Sequence, residues 1–308
     1  MAKVVVTGGA GFIGSHIVDA LTDAGHVVSV IDDLSSGQKE NLNLNKVDLR
    51  IFDIRSKETR DYLRQIKPDI VVHAAAQMSV RNSMEDPAFD TSVNVYGLVN
   101  LLQAFKGEEP PFFVFLSTGG AIYGEQEIFP ATEEHKIAPT SVYGLAKYVS
   151  ELYLDLWRRE FSLKCVALRL GNVYGPRQNP HGEAGVVAIF YKKLFKGETP
   201  LINGSGEQTR DFIYVADVVS AVSAVIESRT EGVFNIGTAR ETSVNDLYAK
   251  IRQTSLVDIA ADRGPSKAGE QMRSCISVDK ANKAFSWQPA YDLDKGLKET
   301  AHWFKSEK

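Results

Sequence analysis

Cysteine is scarce in this chain. Cys165 and Cys275 are the only two in 308 residues, far apart and in no metal-ligand spacing. That argues against a disulfide scaffold and against a metal site, and fits reduced thiols in a cytoplasmic protein. An excess of positive charge is missing as well. With a net charge of −4 and a pI near 5.9, there is no basic field to hold nucleic acid or an acidic membrane surface. No apolar run is long enough to cross a bilayer, and no basic leader or small-residue cleavage pattern precedes Lys3, so neither a membrane span nor a signal peptide is expected. Low-complexity segments and internal repeats are absent too. What is present is the composition of a soluble globular protein, 44% hydrophobic and 24% charged, in a chain long enough for one large or two interlocked domains.

Short β-rich runs alternate with helical patterns through the first half. Strands are predicted at Lys3–Thr7, Val27–Ile31, Val47–Phe52, Ile70–His73, Phe112–Ser117 and Lys164–Leu170. Helices are predicted near Phe12–Ala24, Lys57–Gln65, Pro87–Phe105 and Ser141–Glu160. Nearly all-apolar strands separated by helices imply a parallel sheet covered on both faces. The expected fold is α/β, a doubly wound parallel sheet of Rossmann type, with ligands beyond the carboxyl ends of the strands. After Leu170 the rhythm loosens into loops rich in Gly, Pro and Asn, with helices near Val186–Phe195, Ala216–Glu227, Val244–Thr254 and Leu293–Phe304. The predicted organisation is a dinucleotide-binding domain at 1–170 and a smaller α/β C-terminal substrate domain at 171–308. The boundary is approximate and segments can interlace.

Thr7-Gly8-Gly9-Ala10-Gly11-Phe12-Ile13-Gly14 joins the first strand to the first helix. Gly8, Gly11 and Gly14 allow a tight turn and a close approach to a pyrophosphate, which then sits at the positive end of the helix. Asp32 follows 18 positions after Gly14, at the end of the next apolar run. A carboxylate there can accept hydrogen bonds from both ribose hydroxyls and repels a 2′-phosphate, so the element reads as a site for NAD rather than NADP.

Tyr143 and Lys147 stand four residues apart at the start of a helical run, on one face. A tyrosine is a poor base at neutral pH, but a nearby ammonium and a positive nicotinamide ring both favour its phenolate. Strand Phe112–Ser117 ends in Ser117-Thr118-Gly119-Gly120. Either hydroxyl, Ser117 or Thr118, could bond a substrate oxygen and share its proton with Tyr143; the alternative is a capped turn.

These motifs, with His73-Ala74-Ala75-Ala76, Gly171 to Arg177, Gly204 to Phe212 and Phe234-Asn235-Ile236-Gly237, resemble the extended short-chain dehydrogenases/reductases almost end to end. Within that superfamily the chain is most similar to the UDP-glucose 4-epimerase branch. The resemblance implies that Phe12 and Ile13 give backbone amides to the pyrophosphate. It sets Asp32, Asp33 and Gly37 around the adenine ribose, and Asp53 and Ile54 against the adenine. It also implies that Ala74, Ala75 and Gln77 line the path to the nicotinamide and that Asn94 braces this region. Gln77 replaces a lysine of some relatives. Asn172 and Arg210 match residues that hold the nucleotide-sugar diphosphate. Many relatives carry Arg-x-Gly-Asp/Glu where this chain has Lys267-Ala268-Gly269-Glu270. Lysine lacks the planar fork of arginine, and Arg273 is expected to share the phosphate contact. Ser274 falls where glucose-restricted relatives have a bulky tyrosine, so room for a 2-acetamido group is expected.

What the resemblance implies is inversion at C4 of a UDP-hexose, UDP-glucose to UDP-galactose, through a 4-keto intermediate with NAD retained. A nucleotide-sugar 4,6-dehydratase is the nearest alternative. Its relatives carry Asp-Glu after the threonine, where this chain has Gly119 and Gly120. A non-catalytic NAD-sensing protein is the other alternative, and it would have no need of Tyr143 with Lys147. Helices at Pro87–Phe105 and Ser141–Glu160 would pair across a homodimer, as in similar proteins.

Overall fold

The computed structural model describes residues 1–180, 185–266 and 271–306. The chain divides into two compact units. Met1–Thr118, Ser141–Arg169 and Val219–Phe234 form the first; Gly119–Thr140, Leu170–Val218 and Asn235–Lys308 form the second.

The first unit is built on strands β1 (Lys3–Thr7), β2 (Val27–Ile31), β3 (Asp48–Arg50), β4 (Ile70–His73), β5 (Phe112–Thr118) and β6 (Cys165–Leu170). Side by side they run β3-β2-β1-β4-β5-β6, and Gly232–Ile236 adds a seventh strand beyond β6. The pairs β1–β2, β2–β3, β1–β4 and β4–β5 are parallel. This is the doubly wound order, with its reversal between β1 and β4. Parallel neighbours need crossovers, supplied by α1 (Phe12–Asp23), α2 (Lys57–Ile66), α3 (Val80–Glu85), α4 (Pro87–Thr91) and α5 (Gly97–Gln103). After β5 come the one-turn helix α6 (Gly119–Ile122), where the second unit begins, and then α7 (Val142–Phe161). The strands are apolar because both faces are covered: every residue of β4, β5 and β6 is buried. Val5, Val71, Phe113 and Phe115 pack with Leu98 and Leu101 of α5 and Leu154 of α7. Each such side chain contributes about 1.5–3 kcal/mol of burial.

Two expectations need correction. The helix predicted over Pro87–Phe105 is preceded by α3 and interrupted by a π turn at Ser92–Tyr96. Asp86 accepts the amide of Phe89 and starts a new helix at Pro87. Gly97 then lies against Ile54, where a Cβ would stand 2.5 Å from Ile54 Cδ1. The edge strand predicted as Val47–Phe52 shrinks to Asp48–Arg50, since only Ser29, Val30 and Ile31 pair with it.

The second unit pairs Asn172–Tyr174 with Phe212–Tyr214, Thr209–Arg210 with Thr242–Ser243, and Leu201–Asn203 with Asp262–Gly264. Helices Val186–Phe195, Val244–Ser255 and Leu293–Ser306 pack on one another. A helix at Asp279–Phe285 and these two- and three-residue strands escaped the sequence reading, being too short for a period to show. Asp211, 1% exposed, accepts from Thr238 N (2.8 Å), Thr238 Oγ1 (2.6 Å), Ala239 N (3.1 Å) and Ile276 N (3.3 Å), pinning two loops. Among the described residues no helix is long and apolar enough to cross a membrane.

Candidate active site

In the first unit the turn after β1 meets the turn after β4. Gly8 has φ +69°, and a Cβ on it would stand 2.6 Å from Ala75 N. A Cβ on Gly14 would run into the Gly8 carbonyl oxygen. Glycine is therefore required at both positions by close backbone approach. The turn ends at Gly11, the N-cap of α1, which has neither a capping side chain nor an acid in its first turn. The α1 amides, Phe12 and Ile13 among them, thus begin a helix whose positive end is left for an external anion. A pyrophosphate fits that cradle.

Asp32 is 7% exposed just beyond β2. Its Oδ2 accepts from Ala10 N and its Oδ1 from Leu34 N, both at 2.9 Å. Each oxygen keeps capacity for a further donor such as a ribose hydroxyl. Burial raises its carboxyl above the usual range, while the two backbone bonds pull it back. Gly37 is pressed against it: a Cβ there would lie 2.7 Å from Oδ1. Asp33 accepts from Ser35 N at 2.9 Å. The Asp53 carboxylate is held by Arg55, with Nε at 2.9 and 3.0 Å from its two oxygens. The Arg55 bonds hold Asp53 below its ordinary pKa, and Ile54 is buried in the core.

Ala74 and Ala75 bond back to Thr7, to its carbonyl at 3.0 Å and its hydroxyl at 3.4 Å. Asn94, in the π turn and 2% exposed, clamps Gln77 at two points. Gln77 N donates to Asn94 Oδ1 (3.1 Å), and Asn94 Nδ2 donates to Gln77 O (2.9 Å). An extra residue in a helical turn re-aims its side chains, which explains why this stretch is not plain α-helix.

Ser141 caps α7, accepting from Gly144 N at 3.1 Å, and so sets Tyr143 and Lys147 on the first turn and a half. Lys147, 3% exposed, donates to Leu116 O at 2.9 Å, with its ammonium 4.7 Å from the Phe115 ring centroid and 6.0 Å from that of Tyr143. The Thr118 hydroxyl shares a hydrogen bond with the Tyr143 hydroxyl. Ser117 meets the same helix two turns further on. Its Oγ donates to Glu151 Oε1 at 2.5 Å, and Glu151 is paired with Arg169 at 2.6 Å, both side chains 6% exposed. Of the two hydroxyls left open by the sequence, Thr118 meets Tyr143 and Ser117 meets the ion pair.

The charge balance departs from expectation. Burial pushes the Tyr143 phenol up to about 12; the Asp90 charge adds to the rise and the Thr118 bond opposes it. Burial pulls the Lys147 ammonium down to about 8, against the pull of Asp90 and Glu151. Desolvation and the Asp90 charge outweigh the Thr118 bond, so the protein alone does not favour the phenolate; a bound cationic nicotinamide would act in the direction that does.

Glu151, Arg169 and Asp90 were not foreseen. Glu151 was within reach of the pattern, since 143, 147 and 151 share a helix face at i, i+4 and i+8.

The second unit carries the other expected residues. Asn172 N donates to Asp211 O at 2.7 Å, while its buried Oδ1 has no partner, as a ligand-facing amide would. Arg210 donates to Thr209 O at 2.7 Å. Arg273 lies 3.7 Å from the Phe129 ring centroid and pairs with Glu241 at 2.6 Å, so its guanidinium is already shared. Ser274 is 2% exposed. Lys267 and Glu270 lie outside the described residues. Among the described residues no group of three or more His, Cys, Asp or Glu is placed to hold a metal.

A helix-terminal anion cradle at the switch point, with a tyrosine, a lysine and a threonine gathered at the end of the neighbouring β5, defines an enzyme that works through a dinucleotide. Residues 4–237 match the NAD dependent epimerase/dehydratase family, and the chain belongs to it. It is similar to a UDP-glucose 4-epimerase of Mycolicibacterium smegmatis, 39% identical over 99% of each chain. Among solved structures it is similar to a UDP-glucose 4-epimerase of Thermotoga maritima with UDP-glucose (43% identity, 99% of each chain, TM-score 0.94). It is also similar to a UDP-N-acetylglucosamine 4-epimerase of Methanobrevibacter ruminantium in complex with UDP-N-acetylmuramic acid (36% identity, 100% of this chain and 99% of that one, TM-score 0.94).

Proposed function

We propose that the protein interconverts UDP-glucose and UDP-galactose by inversion at C4, and that it accepts the UDP-N-acetylhexosamines as well. The observation that carries this reading is the cluster of Tyr143, Lys147 and Thr118 at the end of β5. Gly8, Gly11, Gly14, the Phe12 and Ile13 amides and Asp32 hold NAD. When bound, NAD supplies the two-electron acceptor that takes hydrogen from C4 and later returns it. Tyr143 as phenolate takes the proton of the C4 hydroxyl, with Thr118 bridging the hydroxyl and the phenol. Lys147 stabilises the phenolate by charge. The substrate becomes a 4-keto sugar, turns about its link to the anchored diphosphate, and regains hydrogen on its other face while Tyr143 gives the proton back. Asn172 and Arg210 grip the UDP part. Weak contacts to the hexose are part of the design, because a gripped sugar could not turn. Gly119 and Gly120 offer no side-chain acid for dehydration. The small Ser274, at a position where glucose-restricted relatives are bulky, supports entry of a 2-acetamido group.

We infer also that the protein is a homodimer. Leu145, Leu152 and Leu156 form an exposed apolar line on α7, and Met84, Phe89 and Tyr96 are exposed apolar residues of the neighbouring α3, α4 and π turn. A monomer gains nothing from such a face, whereas a second copy buries it.

The test is turnover of UDP-galactose to UDP-glucose by purified protein, followed by sugar-nucleotide chromatography. Tyr143→Phe is expected to lower kcat roughly 10²–10⁴-fold while retaining NAD. Absence of UDP-glucose from a protein that binds NAD normally would sink the reading, and a stable 4-keto-6-deoxy product would replace it with dehydration. Turnover of UDP-glucose with UDP-N-acetylglucosamine untouched at saturation would remove the N-acetyl part.

A further inference from the structure

Asp90 sits on α4 and is 0% exposed. Its Oδ2 accepts from Gln77 Nε2 at 2.7 Å and from Asn94 Nδ2 at 3.0 Å. Those are the two residues of the clamp that fixes the turn after β4. Its Oδ1 is buried and has no partner. A carboxylate oxygen left unpaired in the interior is costly, and retaining it calls for an explanation beyond packing. α4 packs on α3, on the π turn and on α7, the helix of Tyr143 and Lys147.

We propose that Asp90 is a positioning residue for the reaction: its carboxylate braces the Gln77–Asn94 clamp and faces Tyr143 and Lys147 as the charge that sets the pH at which they exchange protons. The proposal rests on Tyr143 being the proton acceptor.

The surrounding charges leave that role to Asp90. Glu151, one turn beyond Lys147, is neutralised by Arg169. His73 on β4 is held neutral, its imidazole pulled down to about 3 by burial and by Lys147. Asp86 caps α4, Arg81 pairs with Glu85 on the exposed side of α3, and Arg55 near the π turn is taken by Asp53. Thr118 on β5 and Gln77 carry no charge. Asp90 raises the Tyr143 phenol and the Lys147 ammonium alike, and Lys147 in turn lowers the Asp90 carboxyl against the rise from its burial. Removing one negative charge therefore moves both partners to lower pH.

Asp90→Asn keeps an acceptor oxygen for Gln77 and Asn94 and removes the charge. In NAD-loaded protein turning over UDP-galactose, the acid limb of kcat/KM against pH is expected to move to lower pH by on the order of one unit. A limb that stays in place overturns the proposal, and so does a fall in kcat with the limb fixed, since that is what a purely structural residue would give. Wild-type protein inactive on UDP-hexoses at every pH overturns the functional reading instead. In that case Tyr143 is titrated directly by tyrosinate absorbance in NAD-loaded wild type and Asp90→Asn, each with its Tyr143→Phe counterpart subtracted. A lower midpoint in Asp90→Asn supports the role of Asp90, and equal midpoints refute it.

Discussion

Ser117 and Thr118 are neighbours with the same chemistry and different employment. Ser117 donates into the buried Glu151–Arg169 pair, and Thr118 bonds Tyr143. Ser117→Ala leaves a buried charged acceptor short of one bond and is expected to cost about 1–3 kcal/mol in urea denaturation, more than it costs in turnover. Thr118→Val keeps the shape and loses the bridge to Tyr143, so kcat is expected to fall at least tenfold with little change in stability. Equal kinetic losses in the two variants would refute the division of labour. The pair also marks how far single residues can be read from sequence. Tyr143 and Lys147 were legible because their relation is local, one helix turn. Which of two adjacent hydroxyls meets Tyr143 depends on where along α7 the end of β5 docks, and no spacing records that. The rise of the Tyr143 phenol was equally illegible, because burial is a property of everything packed around it.

Within the sheet, β1 and β4 are joined by more than backbone. Thr7 Oγ1 lies 2.7 Å from His73 Nδ1, with both residues fully buried and the imidazole 5.8 Å from the Phe115 ring. Burial holds His73 down to about 3, against 6.5 when exposed. The unfolded chain thus binds the extra proton between those values and the folded chain does not. Stability from this group is complete above pH 6.5 and is lost as pH falls towards 3, at about 1.4 kcal/mol per unit. His73→Gln keeps a bond to Thr7 and cannot take the proton, so its denaturation midpoint is expected to be flatter over that window. A slope identical to wild type would show that His73 does not control it. Six of the seven strands were readable, because short all-apolar runs bounded by turns suit a covered parallel sheet; Gly232–Ile236, the seventh, was missed. The Pro87–Phe105 pattern found the start at Pro87 and a continuous helical backbone to Gln103, and did not show the π turn inside it. Asp86 caps α4 and parts it from α3, and Gly97, directly after the π turn, presses on Ile54, a contact 43 residues apart in the chain.

For the molecule as a whole, the exposed leucines of α7 make assembly testable. Leu152, 51% exposed, becomes the centre of a buried patch if two copies meet there. Leu152→Glu is expected to convert a dimer to a monomer in sedimentation velocity; a wild type that already sediments as a monomer would remove the homodimer. At this scale the sequence by itself determined the alternation of strand and helix, the glycine turn with Asp32, and the Tyr143–Lys147 face. Each is set by steric and periodic rules acting over a few residues. Tertiary structure alone decided that Val219–Phe234 joins the first unit and Gly119–Thr140 the second. It alone brought Asp90 beside Gln77 and Ser117 onto Glu151. Those outcomes follow from which surfaces exclude water together, a competition among segments distant in the chain that local pattern does not encode.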